Sequence, residues 1–270
     1  MVSGLFTPAV LGLTVLIYAV DISAYAARLA GVRTRRPMQA RSIYNLLALS
    51  ARAANALQTT LLAGVVDRAV DQGVTKGLIG TLRLVLLAAA AGLIVGASLI
   101  PSVARLLQRA VRSYERRKSL PRVLLHGMRL EVLPRARDEL RKPRPGALLW
   151  ASRHRVPRRW IFLTLAVSVL YAVGAPAAQI ASALAPWGAR TALSMPSYLT
   201  GIGTVLMVLF VDPVTAHAVD LALEGGRPPS DVTALTVWQI GARLAGILLA
   251  QVALVPVARL FAGVAEILVR

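Results

Sequence analysis

The sequence predicts an all-α polytopic membrane protein with about six transmembrane helices, set out as two three-helix units. Three observations carry that expectation. Of 270 residues, 56% are hydrophobic and 16% charged, and the mean hydropathy is +0.64, whereas a soluble domain carries about 25% charged residues. The apolar residues come in runs of about 20, the length a helix needs to cross a hydrocarbon core of about 30 Å. Short segments of the first half also return in the second half at a nearly constant spacing.

The first expected span covers residues 5–27, with Asp21 its only charge. The second covers about 46–66 and contains Arg52. The third covers 84–103, the fourth 161–184 and the fifth about 192–211. The sixth covers about 234–261 and contains Arg243. The first run is expected to be retained as a span. Ala24-Tyr25-Ala26 imitates a signal-peptide cleavage site, but no Lys or Arg precedes the run and the run is too long.

The net charge is +19, and its distribution sets the topology. The first loop holds Arg28, Arg33, Arg35, Arg36 and Arg41 without an acid, whereas the second holds Arg68 and Lys76 beside Asp67 and Asp71. The third loop, about 105–159, is densely basic and the fourth holds only Arg190. Basic loops stay cytoplasmic, so the odd loops are expected inside and both termini outside. The fifth loop, with Arg227 beside Asp220, Glu224 and Asp231, fits this least well. The chain divides into a first membrane unit at 1–106, a basic cytoplasmic loop at 107–159 and a second membrane unit at 160–270. Residues 106–120 read as a basic amphipathic helix continuing the third span, and prolines at 121, 134, 143, 145 and 157 interrupt the rest of the loop. The loop suits anionic membrane lipids, at roughly 1 kcal/mol per nearby charge. It lacks the interleaved aromatics of a single-stranded nucleic-acid site, so no nucleic-acid partner is expected.

The internal matches run in order. Tyr18-Ala19-Val20 returns as Tyr171-Ala172-Val173, and Val66-Asp67 as Val219-Asp220. Ala91-Gly92 returns as Ala245-Gly246, Val103-Ala104-Arg105-Leu106 as Val257-Ala258-Arg259-Leu260, and Leu99-Ile100-Pro101 as Leu254-Val255-Pro256. A repeat of three spans reverses orientation between copies. The two units would then form an inverted repeat, an arrangement common in transporters whose site lies near the midplane between the halves.

Ionisable residues inside spans are costly, and face protein, water or a partner. Three polar stripes stand out: Tyr18, Asp21, Tyr25 and Arg28 at steps of three and four; Arg52, Asn55 and Gln58 at steps of three; and Gln239, Arg243 and Gln251 at steps of four and eight. Each is expected to face the bundle interior. There they either hold helices together, with Asp21 neutralising Arg52 or Arg243, or line a polar cavity. An excess of arginine over acid suits an anionic group, because the guanidinium fork matches phosphate.

Other chemistries find no motif. Cysteine is absent, so there is no disulfide or thiolate metal site. His126, His154 and His217 lack metal-ligand spacing, and neither a phosphate loop nor a nucleophile elbow is present. No cofactor and no enzymatic activity are expected.

Three segments resemble one family. Residues 21–33, Asp-Ile-Ser-Ala-Tyr-Ala-Ala-Arg-Leu-Ala-Gly-Val-Arg, resemble the end of the first span in Amj-type lipid II flippases, the "alternate to MurJ" family. Residues 50–58, from Ser50 through Arg52 and Asn55 to Gln58, resemble its Ser-Arg-x-x-Asn-x-x-Gln second span. Residues 238–246 with 248–251, from Trp238 through Arg243 to Gln251, resemble its last span. The resemblance extends over the chain, in length and span count, and is weakest in the basic loop. It implies a multi-pass cell-membrane flippase. Its partner would be lipid II, the undecaprenyl-pyrophosphate-linked peptidoglycan precursor, moved from inner to outer leaflet for cell-wall synthesis. It further implies a substrate site formed by Asp21, Arg28, Arg52, Asn55, Gln58, Gln239, Arg243 and Gln251. Arg52 and Arg243 would meet the pyrophosphate, and the amides the sugar or peptide. Asp21 would hold an arginine when the cavity is empty, or couple to protons.

Two alternatives remain open at this stage. An integral-membrane polyprenyl-pyrophosphate phosphatase would need clustered intramembrane glutamates, and Glu115, Glu131, Glu139, Glu224 and Glu266 all fall outside the spans. A non-transporting scaffold would use the same polar stripes structurally.

Overall fold

A computed structural model describes residues 6–71, 75–117, 146–154 and 156–269. Ten α-helices account for nearly all of them: α1 (Phe6–Ser23), α2 (Ala26–Thr34), α3 (Pro37–Asp71), α4 (Thr75–Arg117), α5 (Ala147–Ser152), α6 (Arg158–Leu184), α7 (Ala189–Ser194), α8 (Pro196–Leu206), α9 (Asp212–Glu224) and α10 (Pro229–Val269). A 3₁₀ turn, Pro186–Gly188, joins α6 to α7, and a π turn, Met207–Val211, joins α8 to α9.

Prolines and caps explain most of these borders. α3, α8 and α10 each begin on a proline, whose fixed φ and missing N–H suit the first helical turn. α2 ends with Arg35 in the left-handed region at φ 55, its amide bonded to Val32 O and the Arg36 amide to Gly31 O. This pair of bonds closes a helix end and leaves the chain free to turn into Pro37. Gly225, at φ 83, ends α9. The π turn precedes Asp212-Pro213: the proline has no N–H to donate to the turn before it, and its ring crowds that turn's carbonyls. The Trp160 indole donates to Val211 O at 3.0 Å and satisfies a carbonyl there.

Five stretches are long and apolar enough to cross a bilayer: Pro8–Thr34, Gly77–Ser113, Arg158–Leu184, Pro186–Glu224 and Pro229–Val269. The expected second span is the difference. Residues 46–66 lie in α3, whose 35 residues amply exceed the length required, but Arg52, Asn55 and Gln58 dilute its apolarity. The sixth span qualifies despite Arg243. α4 continues unbroken past the third span to Arg117, through Pro101, as expected for a basic helical extension; residues 118–145 lie outside the described ones. Leucines, isoleucines and valines on several helices, together with Phe162, are exposed, among them Leu16, Leu87, Ile94, Val205 and Leu248. That is the surface lipid covers, and one that soluble monomers avoid.

Two close pairings organise the bundle, α1 with α4 and α6 with α10. Small residues allow them. A Cβ on Gly92 would lie 2.8 Å from the Val15 Cα, and one on Gly246 would lie 2.5 Å from the Ser168 Cβ. The backbones approach closely at both places, as small residues permit in membrane helices. Ser168 follows Val15 by 153 residues and Gly246 follows Gly92 by 154. The helix start at Ala189 follows that at Pro37 by 152 residues, close to the same spacing. The main core draws on both halves, with Ile22, Leu82 and Leu93 packed in one cluster with Ile180, Ile247 and Leu254.

Candidate functional site

The site sits where the first helical rod tightens. Between α1 and α2 the backbone bonds change from four-residue to three-residue spacing: Tyr25 N to Ile22 O, Ala27 N to Ala24 O and Arg28 N to Tyr25 O. Three residues per turn eclipse side chains at i and i+3. Tyr25 and Arg28 therefore share a face, and the Arg28 guanidinium lies 5.1 Å from the Tyr25 ring centroid. It is also 5.3 Å from the ring of Tyr44 on α3. The two tyrosines stack on each other, 6.2 Å apart and 11° from parallel.

α10 completes the cluster. Arg243 forms an ion pair with Asp21 and donates to the Tyr25 hydroxyl at 3.2 Å. Arg28 donates to Gln239 Oε1 at 2.7 Å. Asp21, Arg28, Gln239 and Arg243, four of the expected residues, thus form one interior group with Tyr25 and Tyr44. It holds two guanidiniums against one carboxylate. Arg28, lacking a carboxylate in this group, is held by two π faces, each worth about 0.5–2 kcal/mol, and by an amide. Gln239 is 1% exposed, and its Nε2 donates to nothing among the described residues. An unmade bond on a buried donor costs about 1–3 kcal/mol.

The other expected residues fall elsewhere. Gln58 is buried and donates to Thr14 Oγ1 at 2.5 Å, across the α1–α3 contact. Gln251 donates to Arg83 O at 2.9 Å, between α10 and α4. Arg52 and Asn55 are exposed on α3, contrary to the expectation that their stripe faces inward. Residues at steps of three turn 60° backwards around a helix each time. Arg52, Asn55 and Gln58 therefore fan over about 120°, from an open face to a buried one.

Sequence reasoning missed Tyr44, although it lies two heptads before Gln58 on the buried side of α3. It also missed a pocket of about 200 Å³ that brings His154 together with His217, Arg227 and Asp231. The residues involved are scattered along the chain, and no spacing signals it.

The family model described as "Alternate to MurJ" matches residues 13–265. The curated lipid II flippase Amj of Bacillus subtilis (strain 168) is 27% identical over 243 residues, covering 89% of this chain and 90% of that protein. No solved structure matches.

Proposed function

Since the chain belongs to the Amj, alternate-to-MurJ, family, we propose that it is a lipid II flippase, a transporter rather than an enzyme, carrying the polyprenyl-pyrophosphate-linked peptidoglycan precursor from inner to outer leaflet. The observation that carries this reading beyond the family match is the interior cluster, with its surplus guanidinium and unpaired buried amide. A pyrophosphate offers acceptors for both. It would compete with Asp21 for Arg243 and accept from Gln239 Nε2, while Asp21 keeps Arg243 neutralised in the resting state.

The proposal includes orientation. Both termini face outside, and the basic loop and the His154 pocket lie on the cytoplasmic side, where Lys and Arg accumulate and meet anionic lipids. The two halves act as inverted units around the cluster. The test is complementation: a bacterial host depleted of its own lipid II flippase, expressing this chain, with outer-leaflet lipid II measured. Growth with outer-leaflet lipid II supports the reading. No rescue from a well-expressed, membrane-inserted chain removes it.

A further inference from the structure

On α3, the side chains of Arg41, Asn45, Arg52, Asn55 and Thr59 are all exposed. At 100° per residue they fall within an arc of about 80°, so they share one side of the helix as a strip, interrupted between Asn45 and Arg52 by the buried Ala48. From Arg41 to Thr59 the strip is about 27 Å long at 1.5 Å per residue, close to the thickness of a hydrocarbon core. Among the described residues, neither Arg52 nor Asn55 has a side-chain hydrogen bond or ion pair. An arginine at the centre of a lipid-facing helix is unfavourable by about 2.5–3.5 kcal/mol on insertion scales, so this strip needs a polar occupant.

The second half provides an internal control. The positions 153 residues after Asn45, Arg52 and Asn55 are Tyr198, Val205 and Val208, with exposures of 71%, 56% and 55%. At the corresponding place in the fold, an exposed helix carries the apolar residues lipid requires. The same offset carries Arg41 and Thr59 to Ser194 and Asp212, so the contrast between the halves lies in the middle of the strip, at Arg52 and Asn55. Its basic end lies beside Arg33, Arg35 and Arg36, so cation density falls along the strip away from the α2–α3 turn.

We propose that this strip is a hydrated track on the membrane face of α3 that binds the pyrophosphate head of a polyprenyl lipid while the hydrocarbon tail stays in the bilayer. The inference rests on the flippase reading and adds to the interior cluster an approach along the membrane face. The head group travels along the outside of α3, and the buried cluster of Asp21, Arg28 and Arg243 lies behind the track. Arg52 holds the phosphates midway, with Asn55 and Thr59 next along the strip.

The absence of cysteine makes the test direct. Full-length chains carrying Asn55→Cys, Thr59→Cys, Val205→Cys or Val208→Cys are reconstituted in vesicles and exposed to a water-soluble methanethiosulfonate reagent. The α3 variants are expected to react at least tenfold faster than the valine variants. Undecaprenyl pyrophosphate in the vesicles should slow Asn55→Cys at least threefold, and phosphatidylglycerol at equal charge should not. Equal reactivity on both helices, equal protection by phosphatidylglycerol, or a disulfide joining two Asn55→Cys chains would each overturn the track; the last would make the strip an interface between copies. Lipid II flipping by the unsubstituted chain is measured in the same vesicles. A protected strip without flipping sinks the transport reading and keeps the track, whereas flipping with an unreactive strip sinks the track alone.

Discussion

The ion pair between Asp21 and Arg243 separates transport from structural glue. Removing one partner of a buried pair costs about 3–5 kcal/mol. Both side chains here are a quarter exposed, and water screens part of that, so Asp21→Asn is expected to destabilise by about 2–3 kcal/mol. That variant leaves Arg28 and Arg243 without a carboxylate in the cluster. Arg243→Gln removes the ion-pair partner of Asp21, a carboxylate that is a quarter exposed, and about 1–2 kcal/mol is expected by the same discount. The double variant removes both charges together and should lose only about 1 kcal/mol, a coupling of the size seen for contacting residues. Denaturant unfolding in detergent measures the cycle, and lipid II flipping in vesicles is read on the same four proteins. If Arg243 contacts pyrophosphate, the double variant regains stability and stays at least tenfold slower in transport. Wild-type flipping by the double variant would refute the substrate role and leave the pair as internal glue.

Three further substitutions test the fold that presents this site, with a fourth as a control. Gly92→Val would drive side-chain atoms into the backbone of α1 at Val15 and is expected to lower stability by about 3 kcal/mol or more; the control Gly201→Ala, with nothing within 4 Å of the added atom, should be neutral or stabilising by up to about 1 kcal/mol, both read by denaturant unfolding in detergent. Trp160→Phe removes the indole donor to Val211 O but leaves that carbonyl its bond from the Thr215 hydroxyl, a loss of about 0.5–1.5 kcal/mol that should appear as faster hydrogen exchange near residues 207–215. Arg35→Gly relieves a left-handed arginine and is expected to stabilise by about 1 kcal/mol, read as a raised melting temperature; a fall would show that the arginine's charge matters more there than its backbone conformation.

The architecture was readable because membrane helices leave a coarse signal. A run of about 20 apolar residues needs no neighbour to be recognised, and five such runs stand in the structure where the sequence put them. α3 was the weak one, and the reason is chemical: the residues that lower its apolarity are those proposed to meet the substrate. The interior cluster was half legible. Tyr18, Asp21, Tyr25 and Arg28 share a rod, so spacing alone joins them, and Arg243 is the charge expected within the last span. That Arg28 would meet Gln239, 211 residues away, depends on how α2 packs against α10, which no local pattern encodes. The stripe on α3 misled because steps of three look collinear in a sequence while rotating around the helix.

The two halves differ most where function should act. Each pairs its first and last long helix through a glycine, Gly92 against α1 and Gly246 against α6, so that packing is common to both. Their middle elements diverge: α3 is one continuous helix with a polar outer strip, whereas 189–224 is divided by a turn at Met195 and a π segment and exposes Ile202, Val205, Val208, Leu209 and Phe210 along its middle. A protein using both halves alike would need polarity on both middle elements. Here one carries the charged strip and the other the apolar face, so a lipid with a charged head and a greasy tail finds its two requirements on different halves. Moving the polar pair to the other half, with Arg52→Val and Asn55→Val joined to Val205→Arg and Val208→Asn, should abolish flipping even if the chain still inserts. The polar path leading from the basic turn between α2 and α3 would then stop at Asn45, short of the middle of the helix.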